Sequence, residues 1–155
     1  VVTAAGESGM PSGPEERVEN VSRMVEAALE KGFILDDLFV DPLVFPASVD
    51  KDFGSHCLDA IREIRRKYGP DIHITGGVSN ASFGIPGRRL INEIFLILSV
   101  EAGADGGIID PVLSNPSDVF SMDRNSTAYQ MAEDVILGRD EFCQKYIPAW
   151  RKKTR

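Results

Sequence analysis

Short, β-branched or apolar runs recur along this chain at intervals of about 35 residues, and stretches with helical periodicity lie between them. The runs are Val1 to Ala5, Leu38-Phe39-Val40-Asp41, Ile72-His73-Ile74-Thr75 and Gly106-Gly107-Ile108-Ile109-Asp110, the last ended by Pro111. Each reads as a buried strand. The first intervening segment carries Val18, Val21, Val25, Ala28 and Leu29 at helical spacing. Ser12 and Glu15 predict a capping box at its start, and Lys31-Gly32 a left-handed stop. The second carries Cys57, Ile61, Ile64 and Tyr68 on one face and stops at Gly69-Pro70. In the third, between Pro86 and Gly103, Leu90, Ile91, Ile94, Phe95, Ile97 and Leu98 leave little polar face, which predicts deep burial. A weaker helix around Tyr129 to Leu137 and an aromatic C-terminal segment follow, so 112–155 is read as a helical end.

Alternating β and α with apolar strands means an α/β fold, a parallel sheet covered by helices. A complete (β/α)8 TIM barrel takes roughly 250 residues. The 155 residues here supply about half of one, with about four parallel strands. A small open doubly wound sheet is the competing architecture. The chain begins Val1-Val2-Thr3, inside an expected strand and without Met, so it is expected to be part of a longer parent.

Composition narrows the function classes. Hydrophobic residues at 43% and charged residues at 26% fit a globular protein. A net charge of −7 argues against a nucleic-acid partner, which needs clustered Lys and Arg to meet phosphate. The one basic cluster, Arg151-Lys152-Lys153-Thr154-Arg155, is read as a frayed, solvated terminus. The longest apolar run, Ile94 to Val100, is too short to span a bilayer, and no signal peptide is evident. No membrane partner and a cytoplasmic location are therefore expected. Cys57 and Cys143 are far apart and fit reduced thiols. His56 and Cys57 point to different sides of a helix, and no metal site is expected. His73 is expected to pack or to face a helix. Phe142, Tyr146 and Trp150 are read as a packing patch, and Glu15-Glu16-Arg17 as a solvated helix start.

Asp41, Asn80 and Asp110 fall at or just past the carboxyl ends of expected parallel strands. That rim is where barrels and open α/β sheets bind ligands. The alternative is that such residues cap the next helix or satisfy loop backbone. Gly76-Gly77 brings backbone close to whatever Asn80 faces, and Pro86 stiffens the far side of its loop.

The segment from Gly77-Val78-Ser79-Asn80-Ala81-Ser82-Phe83-Gly84-Ile85-Pro86 through Arg88-Arg89-Leu90-Ile91-Asn92 and Ala102-Gly103-Ala104-Asp105 to Ile108-Ile109-Asp110-Pro111 resembles the methyltetrahydrofolate:corrinoid methyltransferases. These are pterin-binding barrel enzymes related to the folate domain of methionine synthase. Gly9-Met10-Pro11 with Glu16-Arg17, and Asp41-Pro42-Leu43-Val44, resemble the same family in the same order. The resemblance runs through to about Pro111 and implies the C-terminal half of a pterin-binding barrel.

The resemblance implies roles where residues match. Asp41 is similar to the carboxylate that grips the pterin's amide and amino edge, where two adjacent N–H donors suit a bidentate acceptor. Asn80 is similar to the catalytic carboxamide near pterin N5. Gly77, Ser79, Arg88 and Ile108 match residues that line the site, and Asp110 is a further candidate. The family also places an Asp and an Asn on earlier strands that have no counterpart here, so the chain is expected to supply part of the site. The implied reaction moves a methyl group between N5 of tetrahydrofolate and the cobalt of a corrinoid (cobalamin) carried by a partner protein. Tetrahydrofolate or methyltetrahydrofolate is then the substrate, and the cobalt is the nucleophile, so no Ser, Cys or metal from this chain is required. Two rivals stand beside this reading. A non-catalytic half-barrel, with exposed edges, is expected to self-associate into a homo-oligomer or to bind a pterin as a half-site. Dihydropteroate synthase shares the barrel, but its comparable loop carries basic residues after the Ser, where Asn80-Ala81 stand here.

Overall fold

A computed structural model describes residues 1–7 and 9–153. Its elements alternate as β1 (Val2–Thr3), α1 (Pro14–Glu30), β2 (Phe39–Asp41), α2 (Phe53–Tyr68), β3 (His73–Ile74) and α3 (Arg88–Ala102). Three further helices follow: α4 (Pro116–Phe120), α5 (Thr127–Ile136) and α6 (Tyr146–Lys153). The sheet is parallel and its order is β1-β2-β3. The fourth expected strand is reduced to a single parallel bridge between Gly77 and Ile108. Its backbone still tracks the sheet, because Gly106 N–H donates to Ile74 C=O at 3.1 Å and Ile108 N–H to Gly76 C=O at 2.9 Å. Two glycines at 106 and 107 weaken a regular ladder there. Spatial order thus follows chain order, as in a barrel wall. A doubly wound sheet reverses its order at a switch point, and none occurs among the described residues.

The helices cover one face of this sheet. Val2, Ala4, Leu38, Val40, Ile72 and Ile74 are buried, while the alternating Thr3 and Phe39 are exposed and Asp41, His73 and Thr75 half-buried. The strands therefore alternate in burial rather than being apolar on both sides, and Val1 and Ala5 lie exposed at the ends of the first. α1 packs on β1 and against α2, and α2 packs against α3. α3 is the most enclosed, with Ile91 and the whole stretch from Glu93 to Ser99 buried. Burial of that helix's apolar side chains supplies much of the core, at roughly 1.5–3 kcal/mol for each large one. α5 lies against α3 and α2.

Helix ends follow the sequence with exceptions. Gly103 ends α3 at φ +117, and its N–H reaches Ser99 and Val100 carbonyls. At the start of α1 the expected Ser12–Glu15 box does not form. Gly13 is the N-cap with Pro14 in the first turn, and the Ser12 N–H and hydroxyl both donate to the Glu16 carboxylate at 2.8 Å. Proline at that position needs no N–H partner, which moves the cap one residue on. Arg17, read as part of a solvated start, is fully buried. In the C-terminal patch Tyr146 is buried and stacks on Trp150 at 6.2 Å, but Phe142 is 68% exposed and takes no part. Arg151, Lys152 and Lys153 belong to α6 instead of fraying, and Thr154 and Arg155 lie outside the described residues. His73 packs on the Phe39 ring at 4.6 Å and pairs with Asp105 at 2.8 Å. No helix among the described residues is long and apolar enough to cross a membrane.

Candidate functional site

Asp41 closes β2, where its carbonyl accepts the Ala4 N–H at 2.9 Å. One carboxylate oxygen, Oδ1, accepts the Leu43 N–H at 2.9 Å. This side-chain turn carries Leu43 into the left-handed region at φ +62, a strained setting for a branched residue. Burial pushes the Asp41 carboxyl above its usual range, and the Leu43 hydrogen bond only partly offsets that. Oδ2 has no hydrogen-bond partner among the described residues. The group is a partly desolvated acceptor with capacity to spare.

One strand over, the chain leaves β3 through Gly76 and Gly77 into a tight turn, Val78–Asn80. Arg88, from the first turn of α3, clamps that turn. Its Nη2 donates to the Ser79 carbonyl at 2.9 Å and its Nε to the Ser82 hydroxyl at 3.0 Å. Ser82 is buried and its hydroxyl donates in turn to the Ser79 carbonyl at 3.2 Å. Asn80 sits at the exposed crest, where its backbone carbonyl accepts the Phe83 N–H at 3.1 Å. Its carboxamide makes no hydrogen bond among the described residues, so both its donor and its acceptor remain available.

A cleft of about 510 Å³ opens beside this turn, along α3 and the 108–114 segment. Ser79, Arg88, Ile108 and Asp110 meet in its lining; Asp41, Gly77 and Asn80 do not line it. Gly77 is joined to it through the bridge to Ile108. Asp110 serves its own loop, since its Oδ1 accepts the Val112 and Leu113 N–H groups at 3.0 and 3.3 Å. Asn92 and Glu93 also line the cleft and were not singled out in the sequence. The Asn92 Oδ1 atom is buried without a hydrogen-bond partner, and Glu93, itself buried, pairs with Arg89 at 2.7 Å. The available signal was a pair of polar residues one turn below Arg88 and Arg89 in an otherwise apolar helix.

Beneath the rim, Cys57 is fully enclosed. Burial pushes its thiol up to about 12 against the opposing charge of Arg17, so it stays protonated and unreactive.

The family model described as pterin binding enzyme matches residues 3–110. The chain is 34% identical over 152 residues to the methylcorrinoid:tetrahydrofolate methyltransferase of Eubacterium limosum, covering 98% of this chain and 52% of that protein. It is 26% identical over 141 residues to the methionine synthases of Mycobacterium tuberculosis and Mycobacterium leprae, covering 86% of this chain and 12% of each of them. The chain thus spans about half the length of the first of these curated relatives and a small part of the other two.

Proposed function

The chain belongs to the pterin binding enzymes, and from that premise we propose that it is the C-terminal half of a (β/α)8 barrel whose rim binds tetrahydrofolate for methyl transfer. The transfer runs between N5 of the folate and the cobalt of a corrinoid held by a partner protein. The observation that carries this reading is the placement of Asp41 and the Gly77–Asn80 turn at the carboxyl ends of adjacent parallel strands. Sequential strand order and helices on one face are what a barrel segment needs. The name of the Eubacterium limosum relative pairs a methylcorrinoid with tetrahydrofolate, which favours this chemistry over dihydropteroate synthesis.

The residues fit a pterin by their donor and acceptor character. Asp41 offers a free carboxylate oxygen in a partly dry setting, which suits an amide N–H beside an amino group. Gly77 and Ser79 bring backbone close, Ile108 supplies an apolar wall, and Arg88 fixes the turn that carries Asn80. Asp110 stiffens the loop beside them. The corrinoid supplies the cobalt that gives or takes the methyl group.

When the methyl group leaves the folate, N5 keeps the electron pair of the breaking C–N bond and must be stabilised as it does so, because an amine is a poor leaving group. The Asn80 carboxamide donates a hydrogen bond to N5 that strengthens in the transition state. An amide does not release a proton at neutral pH, so water delivers it. The test is to assemble the transfer reaction with Asn80→Ala; unchanged transfer removes Asn80 from the mechanism.

A second reading has its own support. Ile108, at the last bridge of the sheet, and Val112 and Leu113, in the turn that follows it, are 67%, 90% and 55% exposed. An open apolar edge is a pairing surface, and a half-barrel that closes on a second copy would use it. Sedimentation of the chain with and without methyltetrahydrofolate separates the two: a stable oligomer indifferent to folate supports the scaffold.

A further inference from the structure

We propose that Arg17 is a positioning residue that aims the Asp41 carboxylate by holding the peptide unit next to it. The inference rests on the assignment of Asp41 as the pterin anchor.

Arg17 lies in the first turn of α1 and is fully buried. A buried guanidinium is costly unless its N–H groups are satisfied. Here Nη1 donates to the Gly13 carbonyl at 3.0 Å and Nε to the Pro42 carbonyl at 3.0 Å, while Nη2 is buried with no hydrogen-bond partner among the described residues, so these two bonds are what hold the group in place. The cation also stands 4.7 Å from the centroid of the Phe45 ring. Arg17 therefore ties the loop after β1 to the loop after β2, two neighbouring loops of the binding rim.

The Pro42 carbonyl and the Leu43 N–H belong to one planar peptide unit. Arg17 holds the oxygen end of that plane, and the Asp41 Oδ1 accepts from its N–H end at 2.9 Å. Rotating the plane would break both bonds together. It would also release Leu43 from φ +62, which nothing local favours. A charged donor on the carbonyl polarises the N–H at the other end, so the two bonds reinforce one another. Asp41 is left with one oxygen oriented by the Leu43 N–H and the other unpaired among the described residues, so the direction of the carboxylate is set before a ligand arrives. Lysine at 17 would keep the charge but not the fork that reaches two carbonyls.

The experiment uses Arg17→Lys and Arg17→Met, with Arg17→Lys serving if the apolar variant fails to fold. In the unliganded protein, the Leu43 amide resonance is followed through a pH titration, where it reports ionisation of its Asp41 acceptor. Methyltetrahydrofolate affinity is measured on the same samples. The expected result is a folded Arg17→Lys protein in which the Leu43 response to pH is displaced and folate affinity falls about tenfold. Combining it with Asp41→Asn should add little further loss, because both changes act on one contact. A folded variant with an unchanged Leu43 titration overturns the proposal. If the wild-type chain ignores folate, the anchor assignment fails, and the Leu43 titration still decides whether Arg17 aims Asp41.

Discussion

Asp41 and Gly76 face each other across adjacent strands so closely that a β-carbon on Gly76 would stand 3.3 Å from the Asp41 Oδ1 atom. The missing side chain leaves the flank of the carboxylate open. It also ties the acid of one strand end to the turn that presents Asn80 from the next. A rim built this way places an acceptor and an amide on neighbouring loops with bare backbone between them, a geometry suited to a flat heterocycle.

Asp41 should trade stability for binding. Burial raises its pKa in the folded chain, so its contribution to stability is full below the ordinary carboxylate pKa and is lost as pH rises through the raised value. At neutral pH the ionised group works against the fold. Asp41→Asn keeps an acceptor for Leu43 and removes the charge. Thermal melts should show the variant more stable than wild type at pH 7, with the difference vanishing below the usual carboxylate range. Folate affinity in the wild type should drop as pH falls through the raised Asp41 pKa, and the variant should lose that dependence.

Asn80 is exposed and carries no side-chain hydrogen bond among the described residues, so Asn80→Ala should leave the melting temperature nearly unchanged. Methyl transfer by the assembled enzyme should fall on the order of 10- to 1000-fold, the range for a lost transition-state donor. Single-turnover rates check this.

Arg88 holds the turn rather than the core. Arg88→Met removes its bonds to Ser79 and Ser82 and should destabilise the chain by only about 1 kcal/mol. Amide exchange across residues 78–83 should accelerate, and folate affinity should fall with it. Exchange at wild-type rates would show that the turn holds itself.

Gly54 is the tightest joint in the molecule's interior among the glycines described. A β-carbon there would come within 2.1 Å of the Ile136 carbonyl oxygen, so α2 and α5 must separate to accept it. Gly54→Ala should cost about 1–3 kcal/mol or more, because backbone cannot move aside as a flexible side chain does. Urea denaturation measures it.

The β/α alternation and the deep burial of α3 were legible because periodicity reports which faces meet a core. The fourth strand was legible in position but not in extent, because its two glycines give no signal of how far pairing runs. The Gly76–Asn80 turn, with Asp41 beside it, stood out through glycine and strand-end logic. Arg17 did not. A charged residue in a first helical turn reads as solvated, and only the tertiary position of Pro42, 25 residues on, reveals its partner. Asn92 and Glu93 were hidden for a related reason: residues of the same type on a helix exterior are ordinary, and only the tertiary structure shows that Glu93 is buried and that both line the cleft beside the 108–114 segment. Phe142 failed the other way, as an aromatic counted with Tyr146 and Trp150 that the backbone turns outward.

The most direct test of the central claim is a calorimetric titration of methyltetrahydrofolate into the wild-type chain and Asp41→Asn at neutral pH. A pterin rim anchored by Asp41 predicts saturable binding to the wild type, weakened about tenfold or more in the variant. Equal affinities for the two proteins, or no binding to the wild type, would contradict it.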